Sequence, residues 1–351
     1  MKIFIDIGHP AHVHVFKNFI KEMEKKGHRI FVTARDKEVT KNLLEAYQIP
    51  YIHVGSAKPG KLNLMLEWIN RDIKIYKIAK KENPDILIGV LSPTMVHAAK
   101  ILGKKSIVFT DSEPESIKFP ILDIITLPFV DSILTLTSVQ HNYGKKEVRI
   151  NSYKELAYLH PKWFTPNPHV LKKAGLSEKD KYIIIRFIGW AAYHDVGRGG
   201  FDIEHQRLLI RKLVPHARVF ISSENPLPEE FEEYRIPIKP EEMHDFLCFA
   251  SLLVSDSQTM TTEAAVLGTP AIRCNSFVGK RDMGNFIELE NKYGLIFNFD
   301  SVEKAIDKAV ELITWTDCKK IWACKREKLL QDKTDFSSFL IQYVEINYKP
   351  K

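Results

Sequence analysis

Short apolar runs alternate with amphipathic stretches along most of the chain. Residues 2–7 form an apolar strand pattern that Gly8 ends. Residues 15–26 then place Phe16, Phe19, Ile20 and Met23 on one side of a helix, and Gly27 stops it. Residues 29–34 read as the next strand. The pattern repeats as helix 39–47, strand 51–54, a long helix 64–82, strand 85–90, helix 94–102, strand 106–109 and strand 132–136. Strand, helix and strand in this order is the βαβ unit, whose crossover is right-handed and whose sheet is parallel. A second run opens at 182–187. It continues through helix 204–213, strand 217–222, helix 241–250, strand 252–254, helix 260–267, a strand from 271 and helix 286–293. Helices 301–313, 321–330 and 336–348 close it. The expected fold class is α/β, built of doubly wound domains.

The length of 351 residues favours two domains. A segment dense in proline and aromatics, 155–167, reads as a rigid crossing between them. The expected division is 1–168 and 169–335. With 51 Lys and Arg against 44 Asp and Glu, the formal net charge is +7. That balance suits phosphorylated ligands, nucleic acid or an anionic membrane surface without choosing among them. No RNP-like, zinc-finger or basic-heptad pattern is present, so nucleic acid is not an expected partner. The four cysteines form no CxxC pair and fit reduced, mostly buried thiols of a cytoplasmic protein. The start, MKIFIDIG, enters a strand pattern without a signal-peptide cleavage region. The most apolar stretch, 119–136, is broken by Pro120, Asp123, Pro128 and Asp131, and so does not read as a membrane span. No amphipathic anchor stands out, which leaves peripheral membrane contact through basic residues as an open expectation.

The richest stretch is SDSQTMTTEAAVLGTP, residues 255–270. It reads as strand end, polar turn, helix, glycine stop and new strand. Such a turn presents backbone N–H groups at a positive helix N-terminus, which favours an anion such as phosphate. Glu263 sits early in the helix. It suits the two hydroxyls of a ribose diol, or equally a capping role. Earlier in the same domain, the loop 189–200 contains Gly189, His194, Asp195 and Arg198. A glycine-containing loop approaches phosphates closely, Arg186 and Arg198 match a diphosphate in fork geometry, and His194 and Asp195 suit acid–base work. Lys280, Arg281 and Asn285 are further candidates for the sugar or diphosphate. For each of these, a mobile or solvated charge is the plainer alternative.

In open α/β sheets the ligand lies beyond the carboxyl ends of the strands. Three loops of the first domain lie there. Gly8 to His14 contains His9, His12 and His14, whose alternation sets neighbours on different sides of an extended chain and argues against a metal set. One of these histidines is instead a candidate base or phosphate contact, or a helix cap. Ser92 and Thr94 occupy the second loop and suit acceptor binding or a cap. Asp111, Glu113 and Glu115 occupy the third. In an extended loop they share one side, and crowding raises the pKa of at least one for general-base work. An acidic helix start is the alternative.

Asp256-Ser257, Glu263-Ala264-Ala265 and Gly268-Thr269-Pro270 resemble the donor-site signature of GT-B glycosyltransferases. They are also similar to the matching segment of the non-hydrolysing UDP-N-acetylglucosamine 2-epimerases. The resemblance implies two Rossmann-like domains facing across a cleft, with a last helix, about 336–351, packed back on the first. It makes Ser257 and Thr259 phosphate contacts and Glu263 the ribose contact. Gln258-Thr259 stand where a glycine pair is usual. The first loop resembles that of GT-B enzymes making lipid-linked cell-wall precursors, with the histidine at His12 and Pro10-Ala11 in place of glycines. As a whole the chain looks closest to a prokaryotic domain-of-unknown-function branch near the 2-epimerases. The implied activity is sugar transfer from a nucleotide-diphosphate sugar, UDP-linked, to a glycan or lipid-linked acceptor in surface polysaccharide or glycolipid synthesis, without cofactor or metal. His12, Asp111, Glu113 and Glu115 are then the catalytic candidates. Arg186, Gly189, His194, Ser257, Gln258, Thr259, Glu263 and Arg281 are donor contacts, and Gly8, His9, His14, Ser92 and Thr94 line the acceptor side. A 2-epimerase and a non-catalytic nucleotide-sugar binder stay as alternatives. In the epimerases the loop before Asp111 carries an acid, and here it reads Val90-Leu91-Ser92-Pro93-Thr94.

Overall fold

Two parallel sheets carry the fold, seen in a computed structural model that describes residues 1–37, 39–56, 61–111, 113–114, 121–189, 199–279 and 282–348, with backbone alone for 61–66 and 122. The chain divides into two compact units. One comprises Met1–Pro114, Phe119–Tyr158 and Thr334–Lys351, and the other takes in Leu159–Lys333. The unit changes at Tyr158, ahead of the division expected after Pro168. The short helix Leu156–Leu159 explains the shift. Its four residues are apolar and fully buried, so this stretch packs as core where its proline-rich flank reads as linker.

The first unit holds β1 Lys2–Ile7, β2 Arg29–Asp36, β3 Ile52–Ser56, β4 Ile86–Val90, β5 Lys105–Phe109, β6 Ser132–Leu136 and β7 Glu147–Ile150. Their order in the sheet is β3-β2-β1-β4-β5-β6-β7, and every pairing is parallel. Both faces are covered by helices, so the central strands run apolar without alternation: Ile3, Phe4, Ile5 and Ile7 of β1 are all buried. Strand β7, four residues with two charges, lies below the length at which periodicity speaks. The closing helix Phe336–Asn347 belongs to this unit. Phe336 packs edge-on against Phe109, Ser337 donates to the Ala157 carbonyl, and Tyr348 beyond the helix bonds Ser132.

The second unit holds β8 Tyr182–Phe187, β9 Arg218–Ser223, β10 Leu252–Ser255, β11 Ala271–Cys274 and β12 Ile296–Phe299, ordered β12-β11-β10-β8-β9 and again wholly parallel. Each sheet has one point where chain order reverses. In the first it lies between β1 and β4, in the second between β8 and β10. Crevices open at the carboxyl ends of strands on either side of such a point. Of the helices that begin earlier than expected, two bear on the site. The helix Pro10–Lys25 takes in most of the presumed first loop, because Pro10 suits the first helical position and His9 caps it through Nδ1 to the Ala11 N–H. The helix Gln258–Leu267 likewise absorbs Gln258 and Thr259. Gly268 ends it in the left-handed conformation, φ 77°, as the stop demands.

Candidate functional site

At the reversal point of the first sheet, Asp6 lies next to the end of a largely apolar strand and is buried. Three donors hold its carboxylate: Arg71 Nη2 at 2.5 Å, Ser92 Oγ at 2.5 Å and Thr33 Oγ1 at 2.8 Å. Ser92 occupies the N-cap of the helix Pro93–Ile101 yet makes no cap bond, since its hydroxyl is turned to Asp6. Thr94 is fully buried with Oγ1 3.4 Å from Ser92 Oγ. Leu91 just before them sits at φ +35°, a conformation that non-glycine residues hold only where their surroundings impose it. His12, in the first turn of the helix Pro10–Lys25, faces this cluster. Its Nδ1 accepts the Gly8 N–H at 3.3 Å, so the neutral ring carries its proton on Nε2. Loss of hydration pushes its pKa down from 6.5 to about 3, with Asp6 and Asp111 opposing and Lys154 and Arg71 adding to the shift.

The acidic loop departs from its expected behaviour. Asp111 is paired with Lys154, Nζ to Oδ2 2.5 Å, and Glu113 accepts the Gln140 N–H at 3.1 Å. Each carboxylate thus has its own donor, in place of the shared, crowded side that alternation suggested; Glu115 lies outside the described residues. His14 is not a loop residue. It is a helical, buried histidine packed between Tyr158 and Tyr47, with Nδ1 3.3 Å from the Tyr47 hydroxyl. His9 stays at the helix cap with its ring 5.8 Å from that of His12.

The second reversal point gathers most of the remaining candidates. Ser257 caps the helix Gln258–Leu267 by accepting the Met260 N–H at 3.3 Å, and its own N–H is held by Ser255 Oγ at 2.8 Å. The N–H groups of Gln258 and Thr259 have no acceptor among the described residues, the usual state of a first helical turn. Thr261 and Thr262 turn their hydroxyls back onto the Ser257 and Gln258 carbonyls, so they do not compete for this end. Glu263 is buried one turn further on, and His244 Nε2 lies 2.9 Å from its Oε1. Across the reversal, Arg186 pairs with Ser222 Oγ at 2.8 Å and Glu224 at 2.5 Å, while the other Glu224 oxygen accepts the Gly189 N–H at 2.8 Å. Asp256 locks this loop by accepting the Ile188 N–H at 2.9 Å. A Cβ at Gly200 would run into the Asp256 carboxylate, which explains the glycine there. His194, Asp195, Arg198, Lys280 and Arg281 lie outside the described residues.

Asp6, Arg71 and Lys154 in the first unit, and Glu224 and His244 in the second, join these clusters without having been singled out. Asp6 alone left a signal, a carboxylate inside an apolar strand. The others sit far along the chain from the loops they hold. Among the described residues no three His, Cys, Asp or Glu side chains come together as a metal set, and no helix is long and apolar enough to cross a membrane.

The same two-sheet architecture occurs in solved structures. The UDP-GlcNAc 2-epimerase of Methanocaldococcus jannaschii matches with a TM-score of 0.69 and 15% identity, over 99% of this chain and 100% of its own. The S. aureus protein MnaA, solved with UDP, matches with a TM-score of 0.72 and 14% identity over 100% and 98%. A Streptomyces glycosyltransferase complexed with thymidine diphosphate matches with a TM-score of 0.62 and 12% identity over 99% of both. At such identities the likeness is one of fold, and the fold is GT-B. In sequence, an uncharacterized protein of Methanocaldococcus jannaschii is 22% identical over 286 residues, 78% of this chain and 82% of that protein. The family described as protein of unknown function (DUF354) matches residues 1–332, and the chain belongs to it.

Proposed function

We propose that the protein is a GT-B glycosyltransferase that takes a sugar from a UDP-linked donor and passes it to a glycan or lipid-linked acceptor at the cytoplasmic face. The observation that carries this reading is the start of the helix Gln258–Leu267. Two unfilled amides and the capping hydroxyl of Ser257 lie at the crevice of the second sheet, with a buried carboxylate one turn away that His244 holds in place. A diphosphate fills the amides and a ribose diol meets Glu263. Arg186, released in part from Glu224, offers a second fork to the diphosphate. Relatives of this fold were solved with UDP and thymidine diphosphate, which supports a nucleotide at this place.

In transfer the acceptor oxygen bonds to the anomeric carbon. The bond from that carbon to the diphosphate oxygen breaks, and the departing diphosphate keeps the electron pair. Helix N–H groups and Arg186 stabilise that charge. The acceptor proton needs a base. His12 offers an N–H rather than a lone pair on Nε2, so it orients an oxygen, and the Asp111 and Glu113 carboxylates are the bases. Calorimetry with UDP tests the donor site: Glu263→Ala is expected to weaken binding by at least about tenfold, in the range of a lost charge-assisted bond. Unchanged affinity removes the ribose role.

A second reading, 2-epimerisation of a UDP-amino sugar, is favoured by the epimerase matches, whose TM-scores of 0.67–0.70 exceed the 0.61–0.63 of the glycosyltransferases. Incubation with UDP-N-acetylglucosamine in deuterated water separates the two. Deuterium at C2 without any acceptor means epimerisation, and none is expected of the transferase. Binding with no turnover for any acceptor extract would leave a carrier protein.

A further inference from the structure

On one side of the first sheet the helices Lys61–Glu82, Pro93–Ile101 and Ile121–Thr126 meet at His97. Its Nδ1 lies 3.4 Å from Asp72 Oδ1 and its Nε2 2.9 Å from the Ile125 carbonyl oxygen. Its ring stands edge-on to Phe129, centroids 5.6 Å apart. Around this junction large apolar side chains stand in solvent. Ile69 and Ile73 are each 47% exposed, Ile124 66% and Phe129 43%. Ile69 and Ile73 lie one turn apart and bracket Asp72 in sequence, and Ile124 adjoins Ile125, so these residues cluster about His97. Ile101, one turn past His97 on the same face, is 69% exposed. Single exposed isoleucines are ordinary, but a group of them on adjoining helices marks an interaction surface.

The same helices carry exposed lysines. Lys74, Lys77, Lys80, Lys81 and Lys100 have no carboxylate partner among the described residues. Of the acids on these helices, Asp72 is turned to His97, Glu67 is paired with Arg35 and Asp123 is buried, which leaves Glu82 at a helix end against five lysines. Apolar groups rimmed by unpaired ammonium groups are complementary to a bilayer surface with negative headgroups. A second copy fits less well. A two-fold contact sets the same patch against itself and brings lysines toward lysines. We propose that this face docks the first unit onto an anionic membrane, with Ile73, Ile124 and Phe129 entering the headgroup boundary and the lysines meeting lipid phosphates.

Docking is independent of the nucleotide-sugar reading, since it is measured without any nucleotide. The test is co-sedimentation of the full chain with vesicles of phosphatidylglycerol and phosphatidylcholine, and with phosphatidylcholine alone. Binding to the mixed vesicles is expected to be at least about tenfold stronger, and to fall by a similar factor at high salt. Lys77→Glu with Lys81→Glu should remove most of it, and so should Ile73→Ser with Ile124→Ser, with helical circular dichroism unchanged. The lysine pair carries the test alone if the isoleucine pair loses structure. Equal binding to neutral vesicles, no binding at all, or an unaffected lysine variant overturns the proposal. So does a dimer in sedimentation equilibrium that Ile73→Ser dissolves.

Discussion

At the scale of single residues, the two crevices differ in how their ionisable groups are held. His12 is the clearest case, because one backbone bond and its burial fix both its tautomer and its charge. Its folded pKa of about 3 lies below the 6.5 of an unfolded chain. Between those values the unfolded chain takes up a proton that the folded one refuses. Stability from this residue is therefore complete above about pH 6.5 and is lost as pH falls toward 3. In urea titrations the native chain is expected to lose more stability between neutral pH and about pH 4 than His12→Asn does. An identical loss in both, or a His12 ring that titrates near 6.5 by NMR, contradicts a neutral Nε2–H donor. The histidine itself was legible from its place after the first strand. Its chemistry was not, because the burial that lowers its pKa, and the Asp6, Lys154, Asp111 and Arg71 charges around it, depend on tertiary contact. The same holds for Asp111 and Glu113. Spacing brought them to notice, but their separate donors, Lys154 and the Gln140 amide, come from a later part of the chain.

At the scale of elements, the cap of the helix Gln258–Leu267 carries two jobs on one hydroxyl. Ser257 Oγ accepts the Met260 N–H and, in the proposed site, donates to a phosphate. Two substitutions separate the jobs. Ser257→Ala loses the cap and is expected to cost about 1 kcal/mol of stability, whereas glycine at an N-cap costs only a few tenths. If the hydroxyl also contacts the diphosphate, Ser257→Ala and Ser257→Gly should weaken UDP by the same factor, read by calorimetry against urea midpoints. Affinity that follows stability instead assigns Ser257 to capping alone. This helix, its glycine stop and the flanking strands were legible because good helix formers, Gly268 and a β-branched restart agree with one another. Its first turn was misplaced because Gln258 and Thr259 look like loop residues, while the N–H groups that matter belong to the backbone. Strands β7 and β12 escaped for a different reason: they are as short as β10 and β11 but half-buried, with two charges in EVRI and an asparagine in IFNF breaking the apolar run.

At the scale of the whole molecule, the chain makes one unit from three pieces and the other from a nearly continuous one. The first unit is completed by its last segment. Phe336 is fully buried, Ser152 donates to the Thr334 carbonyl at 2.6 Å, Ser337 donates to Ala157 at 2.8 Å, and Lys26 pairs with Glu345 at 2.7 Å. None of these bonds touches the second unit, which ends at Lys333. Removing residues 334–351 should therefore leave two unlike halves. Loss of the Phe336, Leu340 and Val344 side chains from the first core is worth several kcal/mol, at roughly 1.5–3 kcal/mol for each large apolar group. That is a large part of the stability of a domain this size. Calorimetry of the shortened chain is expected to show one transition moved to lower temperature and one unchanged. UDP binding through Ser257 and Glu263 should persist, because their helix, its cap and His244 all lie between Leu159 and Lys333. A single transition that shifts as a whole would mean that the halves unfold as one cooperative body, and loss of UDP binding would mean that the donor site draws on the first unit.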